Sequence, residues 1–227
     1  MKTILVIVAK EPVPGRVKTR LSSRLGAKQA SELYRLSIQD MTEEMSNLSE
    51  NTLAIAYTPR DAERVFKKIF PSPIRLFPQE GENLGERLSN IFKRMFAEGY
   101  HQVHIINSDS PDLSHRLIER SIRLLQEPKT DVILGPCADG GYYLVGLKRL
   151  IPELFARIPW STDQVLNKTL ETSQRLGLQC ALLSPWYDID TYDDMLQFLE
   201  RNGKRVDTER LPGWRTLKYL RTRIKPG

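Results

Sequence analysis

Ile105-Ile106-Asn107-Ser108-Asp109-Ser110-Pro111-Asp112 is the stretch that decides the fold. The apolar run Val103 to Ile106 reads as a buried strand, and polar residues and a proline follow at once. Acidic and hydroxyl side chains therefore sit at the carboxyl end of a central strand, where open α/β sheets bind ligands. Asp109 is placed to ligate a metal, with Asp112 beside it. The same kind of edge recurs at Gly135-Pro136-Cys137-Ala138-Asp139-Gly140-Gly141, after Val132 to Leu134, and at Asp188-Ile189-Asp190. Three acidic strand ends in one chain predict a single polyanion–metal site built from distant segments.

The flanking segments alternate between strand and helix. Ile4 to Ala9 is a continuous apolar run of the kind a doubly covered sheet requires. Ala27 to Met45 has helical periodicity, Leu53 to Tyr57 and Ile74 to Phe77 read as strands, and Asp61 to Phe70 as a short helix. Asn83 with Glu86 forms a capping box for a helix from Leu84 to Glu98. Ser114 to Leu125 is helical. Tyr142 to Leu147 follows the preceding strand too soon for a helical crossover, so it is expected to be antiparallel. Ser161 with Gln164 predicts a cap for a helix to Leu176. Thr191 with Asp194 predicts another, to about Arg201. One α/β domain results, with a mixed, mostly parallel sheet and helices on both faces.

Charge is distributed unevenly over the 227 residues and the net +6. Residues 201–227 hold nine Lys/Arg against two Asp/Glu, and the first 200 hold 25 against 26. The body is thus not a basic nucleic-acid binder. Leu211, Trp214, Leu217 and Leu220 recur at helical spacing in the tail, which predicts a short amphipathic helix docked on the body or on a second subunit. No apolar run is long enough to span a bilayer. The two cysteines have no metal or disulfide spacing, which suits a reducing cytoplasm.

Three motifs carry candidate chemistry. The loop Lys10 to Leu21 contains Pro12, Pro14 and Gly15, with Arg16, Lys18 and Arg20 two apart. In an extended loop these cations share a side and suit a di- or triphosphate, although a solvated basic loop reads equally well. It is neither a P-loop nor a Gly-x-Gly-x-x-Gly fingerprint. Arg87 lies in the first turn of a helix, where anions bind, or where a salt bridge forms. Asp109, Asp139 and Asp188 are candidate Mg²⁺ ligands, since Mg²⁺ takes one or two carboxylates and completes its shell with water and phosphate. Asp190 reads as a helix cap. Gly140 and Gly141 allow close backbone approach to a ligand or simply make a tight turn.

Together these residues resemble a family. Lys10-Glu11-Pro12 with Pro14 to Leu21, Leu84-Gly85-Glu86-Arg87, Ser108-Asp109-Ser110-Pro111, Gly135-Pro136-x-x-Asp139-Gly140-Gly141-Tyr142-Tyr143-Leu144, Trp160-Ser161-Thr162 and Asp188-Ile189-Asp190-Thr191 look like the bacterial glycosyltransferase-A-like (radical-SAM/selenodomain-associated) transferases. Lys18-x-Arg20-Leu21 and Asp188-x-Asp190-Thr191 are remotely similar to 2-phospholactate guanylyltransferases. The resemblance implies a nucleotide-diphospho-sugar transferase (GT-A-like) fold over residues 1–202; residues 203–227 lie outside it and read as a basic C-terminal extension and a candidate surface for homo-oligomers. It implies a nucleotide or nucleotide-sugar donor, a small-molecule acceptor and a divalent metal, Mg or Mn, on Asp109 with Asp188 as second carboxylate. Lys10, Arg16, Lys18, Arg20, Arg87, Gly140 and Gly141 would then face the nucleotide and its phosphates, with Asp139 orienting the acceptor or acting as base. Glycosyl transfer is the favoured reaction, nucleotidyl transfer to a small phosphorylated acid the alternative, and a non-catalytic nucleotide-binding scaffold the third reading. The chain departs from the usual metal motif in having no Asp-x-Asp at Asn107-Ser108-Asp109.

Overall fold

A computed structural model describes residues 1–48, 52–71, 74–203 and 211–223. Strands β1 (Thr3–Lys10), β2 (Thr52–Thr58), β3 (Arg75–Pro78), β4 (Gln102–Ile106), β5 (Val132–Pro136), β6 (Tyr142–Leu147) and β7 (Cys180–Leu182) make one sheet in the order β3-β2-β1-β4-β6-β5-β7. All pairings are parallel except those of β6, which runs antiparallel to both β4 and β5. The short link from β5 to β6 left no room for a crossover, as the sequence predicted.

Helices cover both faces: α1 (Thr19–Leu25), α2 (Ala27–Met45), α3 (Glu63–Ile69), α4 (Leu84–Ala97), α5 (His115–Gln126), α6 (Val165–Arg175), α7 (Tyr192–Gly203) and α8 (Trp214–Arg221). Alternate residues of β1 feed opposite cores. Leu5, Ile7 and Ala9 pack with Tyr34, Ile38 and Met41 of α2, Phe66 of α3 and Ile118 of α5. Ile4 and Val6 pack with Leu88, Ile91 and Phe92 of α4. Asn83 caps α4, accepting from Glu86 N at 3.0 Å, and Thr191 with Asp194 forms the reciprocal box before α7.

The tail forms a helix where one was expected, but it begins at Trp214, and Leu211 lies before it. Leu217 and Leu220 of α8 join Leu21, Leu33, Met195 and Phe198 in a third apolar cluster. Burying two leucines contributes roughly 3–6 kcal/mol, which a helix this short needs in order to form. Asp40 of α2, fully buried, accepts from Arg215 N at 3.2 Å and Thr216 N at 2.8 Å, so α2 caps α8. Arg215 also pairs with Asp40 and Glu43, so it faces the body. The tail cations Lys204, Arg205, Arg210 and Lys225 lie outside the described residues.

Two local expectations fail. Residues 19–21 are not extended loop: α1 starts at Thr19, with Lys18 as its left-handed N-cap (φ 47°, ψ 44°). Buried Leu21 anchors this helix in the third cluster, and tertiary packing overrides the loop signal of Pro14-Gly15. Arg16, Lys18 and Arg20 therefore do not share a side. Ser161 does not cap α6 either. Its φ of 67° turns the chain, and Thr162 Oγ1 accepts from Gln164 N at 3.3 Å instead.

Candidate functional site

Sheet order positions the site. The chain leaves β1 toward β2 and returns to lay β4 on β1's other side, so a crevice opens where the order reverses, beyond the carboxyl ends of β1 and β4. The loop after β1 carries Arg16 and Lys18, and the loop after β4 carries Asp109. The turn before β6 brings Asp139 to the same end, and the segment after β7 brings Asp188 and Asp190.

At the floor, Lys18 Nζ lies 2.6 Å from Asp109 Oδ1 and 2.8 Å from Asp190 Oδ1. Its side chain is 5% exposed, against 31% for Asp109 and 42% for Asp190. Burial works against the Lys18 ammonium, but the charges of Asp109 and Asp190 outweigh it and hold its pKa above the ordinary lysine value. Burial likewise pushes the Asp190 carboxyl up, and Lys18 more than reverses this, holding Asp190 below the usual carboxylate range. Tyr34 supports the arrangement. Its ring lies 5.7 Å from Lys18 Nζ, and its hydroxyl accepts from Lys10 N at 2.9 Å and meets Ser108 Oγ at 2.7 Å.

Asp188 is placed differently. It accepts from Asn107 Nδ2 at 2.9 and 3.0 Å and from Ser110 Oγ at 2.7 Å. Burial and the charge of Asp109 push its carboxyl up to about 6. Ligand atoms of Asp188, Asp139 and Cys137 lie within 4.8 Å of one another. Burial and these two carboxylates raise the Cys137 thiol well above its ordinary value, which disfavours the thiolate a soft metal needs.

The turn Cys137 to Gly141 is tight. Asp139 Oδ1 accepts from Gly141 N at 2.9 Å, and Gly140 has φ 87°. A Cβ at Gly140 would collide with the Asp163 carbonyl, so the glycine is required by close backbone approach to the α6 entry, where Gly140 O also accepts from Leu166 N.

Two cavities share this floor. One, of about 610 Å³, is lined by Lys10, Arg16, Lys18, Tyr34, Gln79, Arg87, Asp109 and Asp190 among others. The other, of about 780 Å³, is lined by Lys10, Arg20, Asp109, Asp139, Gly141, Tyr142, Trp160, Asp163 and Asp190 among others. Arg16 and Arg20 thus lie on different cavities. Arg87 Nε donates to Gly81 O at 3.0 Å, and among the described residues the rest of its guanidinium has no protein partner. The salt bridge anticipated for it is not formed. Trp160 lines both cavities and packs on Gly85, where a Cβ would stand 2.5 Å from Trp160 Nε1.

Two further residues escaped the sequence reading. Asp190 had read as a cap, whereas Asp194 does that work and Asp190 faces Lys18. Its signal was the repeat Asp188-x-Asp190. Gln79 Nε2 donates to Ala56 O at 2.8 Å and Ala9 O at 3.4 Å, and among the described residues its Oε1 has no protein partner at the wall of the first cavity. Nothing in its local sequence marks it.

The family model described as "Uncharacterized protein conserved in bacteria (DUF2064)" matches residues 41–162, more than half of the chain. No curated protein matches. A Desulfovibrio desulfuricans G20 protein assigned as a nucleotide-diphospho-sugar transferase is 33% identical, over 98% of this chain and 95% of that one, with a TM-score of 0.88. A CMP:2-keto-3-deoxy-manno-octonic acid synthetase complexed with CTP is 13% identical over 90% and 99%, with a TM-score of 0.58. Glucosyl-3-phosphoglycerate synthase of Mycobacterium tuberculosis, in complex with Mn²⁺, UDP and glucosyl-3-phosphoglycerate, is 14% identical over 91% and 82%, with a TM-score of 0.52. The chain belongs to the DUF2064 family and has the nucleotide-diphospho-sugar transferase fold. Among the described residues no helix is long and apolar enough to cross a membrane.

Proposed function

We propose that this chain is a cytoplasmic, divalent-metal-dependent transferase that takes a nucleoside-diphosphate sugar and passes the sugar to a small hydroxyl-bearing acceptor. One observation carries the reading: two cavities that share Lys10 and the Asp109–Asp190 pair differ in what else lines them. The first is lined by Lys10, Arg16 and Arg87, which suit a diphosphate. The second adds the carboxylates of Asp139 and Asp163, which suit sugar and acceptor hydroxyls, beside Lys10 and Arg20.

Asp109 and Asp190 fit a hard cation. Their carboxylates already converge on an ammonium, and the second oxygen of each accepts no other protein hydrogen bond among the described residues. Asp190 thus replaces Asp188 as the proposed second ligand, and Asp188 becomes a positioning residue that orients Asn107 and Ser110. When bound, Mg²⁺ or Mn²⁺ would supply charge stabilisation for a diphosphate leaving group. The Asp139 carboxylate would take the proton of the acceptor hydroxyl as its oxygen bonds to the sugar's anomeric carbon. The bond from that carbon to the diphosphate breaks, and the nucleoside diphosphate carries away the electron pair.

Lys10 and Arg20 on the second cavity favour one other reading, nucleotidyl transfer to a small phosphorylated acid with release of pyrophosphate. A thermal-shift panel of nucleotides with and without Mn²⁺ separates the readings. A ligand far above its dissociation constant stabilises by roughly 2–4 kcal/mol. Preference for a nucleoside-diphosphate sugar supports glycosyl transfer, and preference for a triphosphate supports nucleotidyl transfer. No response from any nucleotide contradicts both and leaves a scaffold.

A further inference from the structure

Lys18 holds an unexpected place for a cation on a phosphate-facing loop. Its ammonium is turned inward, 2.6 Å from Asp109 and 2.8 Å from Asp190, and is nearly sealed from solvent while its two partners remain open to the cleft. The backbone is committed to this placement: Lys18 is left-handed and caps α1, and the Tyr34 ring backs the ammonium. We propose that Lys18 is an internal cation that keeps the Asp109–Asp190 pair closed to a lone divalent ion, so that metal is taken up together with nucleotide phosphates, to which the Lys18 ammonium then passes. This rests on the reading of Asp109 and Asp190 as the metal pair.

Charge and geometry lead there. Two carboxylates and one ammonium sum to a single negative charge. A divalent metal coordinates carboxylate oxygens at about 2.0–2.3 Å and must compete with the ammonium for the same two atoms. Were both cations kept, the Lys18–Asp109–Asp190 cluster would carry net positive charge around a nearly sealed ammonium, with no anion to balance it. A bare metal ion brings no such anion, whereas a metal–phosphate complex does. Lys18 also lines the first cavity beside Arg16, so phosphate there comes within its reach. Linkage then requires that phosphate tighten metal binding and that metal tighten phosphate binding by the same factor.

The test is Mn²⁺ binding by the full chain, followed by electron paramagnetic resonance of free Mn²⁺. Lys18→Met removes the competing cation. It is expected to bind Mn²⁺ alone about ten-fold tighter than the unmodified protein, or better. Its Tm without metal should lie below the unmodified protein's, because two facing carboxylates are left unneutralised, and Mn²⁺ alone should raise it. Equal or weaker Mn²⁺ affinity in Lys18→Met would overturn the proposal. A second measurement needs no variant: the unmodified protein should retain Mn²⁺ more tightly from an equimolar mixture with inorganic pyrophosphate than from Mn²⁺ alone, and equal retention would also overturn it. Adding Asp109→Asn to Lys18→Met should abolish the gained binding. Persistence of that binding would place the metal elsewhere and sink the metal-pair reading itself.

Discussion

Lys18 and Asp190, 172 positions apart in the chain, share a 2.8 Å hydrogen bond at the floor of the cleft. That bond joins the loop after the first strand to the segment after the last, and it distinguishes Asp190 from its neighbour Asp188. Asp188 serves three hydrogen bonds from Asn107 and Ser110 and is half-buried. Asp188→Ala would orphan these donors and is expected to cost about 1–3 kcal/mol of stability as well as ligand affinity. Chemical denaturation checks this. Unchanged stability would mean that water replaces the carboxylate and that Asp188 has no positioning role.

The tail helix depends on Asp40. Its buried carboxylate accepts from the backbone N–H groups of Arg215 and Thr216, the second and third residues of α8, and from the Arg215 side chain. Asp40→Ala should lower stability by about 1–3 kcal/mol, the scale of a lost cap and a charged hydrogen bond. Because α8 stands off the cleft floor, Mn²⁺–nucleotide affinity in the folded variant should be unchanged. A variant of normal stability that loses nucleotide binding would contradict both statements.

His104 predicts how stability responds to acid. It is fully buried, its Nδ1 meets Ser121 Oγ at 2.8 Å, and Nε2 has no partner among the described residues. Burial pulls its pKa down to about 3. Between that value and the unfolded-state value of about 6.5, the unfolded chain binds a proton that the native chain does not. The contribution is therefore complete above pH 6.5 and is lost as pH falls, by up to about 1.4 kcal/mol per pH unit. Relative to His104→Leu, the unmodified protein should lose about 2 kcal/mol more between pH 7 and pH 5. Parallel stability profiles would show that His104 protonates equally in both states.

Much of this was legible from residues alone. Continuous apolar runs announced the buried strands, the short step from Pro136 to Tyr142 announced the antiparallel one, and the Asn83–Glu86 and Thr191–Asp194 boxes marked two helix starts. Asp109 and Asp139 were recognisable because each follows a strand end. What stayed hidden depends on tertiary contact. Thr19 to Leu25 becomes helix because Leu21 finds an apolar pocket made largely by α2, α7 and α8. Asp190 stands before Thr191 as a helix cap would, and only Lys18 from across the cleft gives it another partner, while Asn107 and Ser110 occupy Asp188. Gln79 is positioned by backbone carbonyls of two strands, which no side-chain pattern reveals.

Trp160 offers a test of the cavity walls. It packs on Gly85 and lines both cavities, so Gly85→Ala, whose Cβ would meet Trp160 Nε1 at 2.5 Å and the Phe155 carbonyl at 2.7 Å, must displace the ring or the α4 entry. The expected outcome is weaker nucleotide binding with a stability loss of about 1–3 kcal/mol, the range for overpacking a tight contact. Unaltered affinity would remove Trp160 from the nucleotide-binding wall.

The most direct measurement of the whole account is calorimetry of nucleotide binding with Mn²⁺, and then with EDTA, on the unmodified protein, Asp109→Asn and Asp190→Asn. Binding should depend on Mn²⁺ and fall about ten-fold or more in either variant while both stay folded. Nucleotide binding that is indifferent to EDTA and to both substitutions would contradict it.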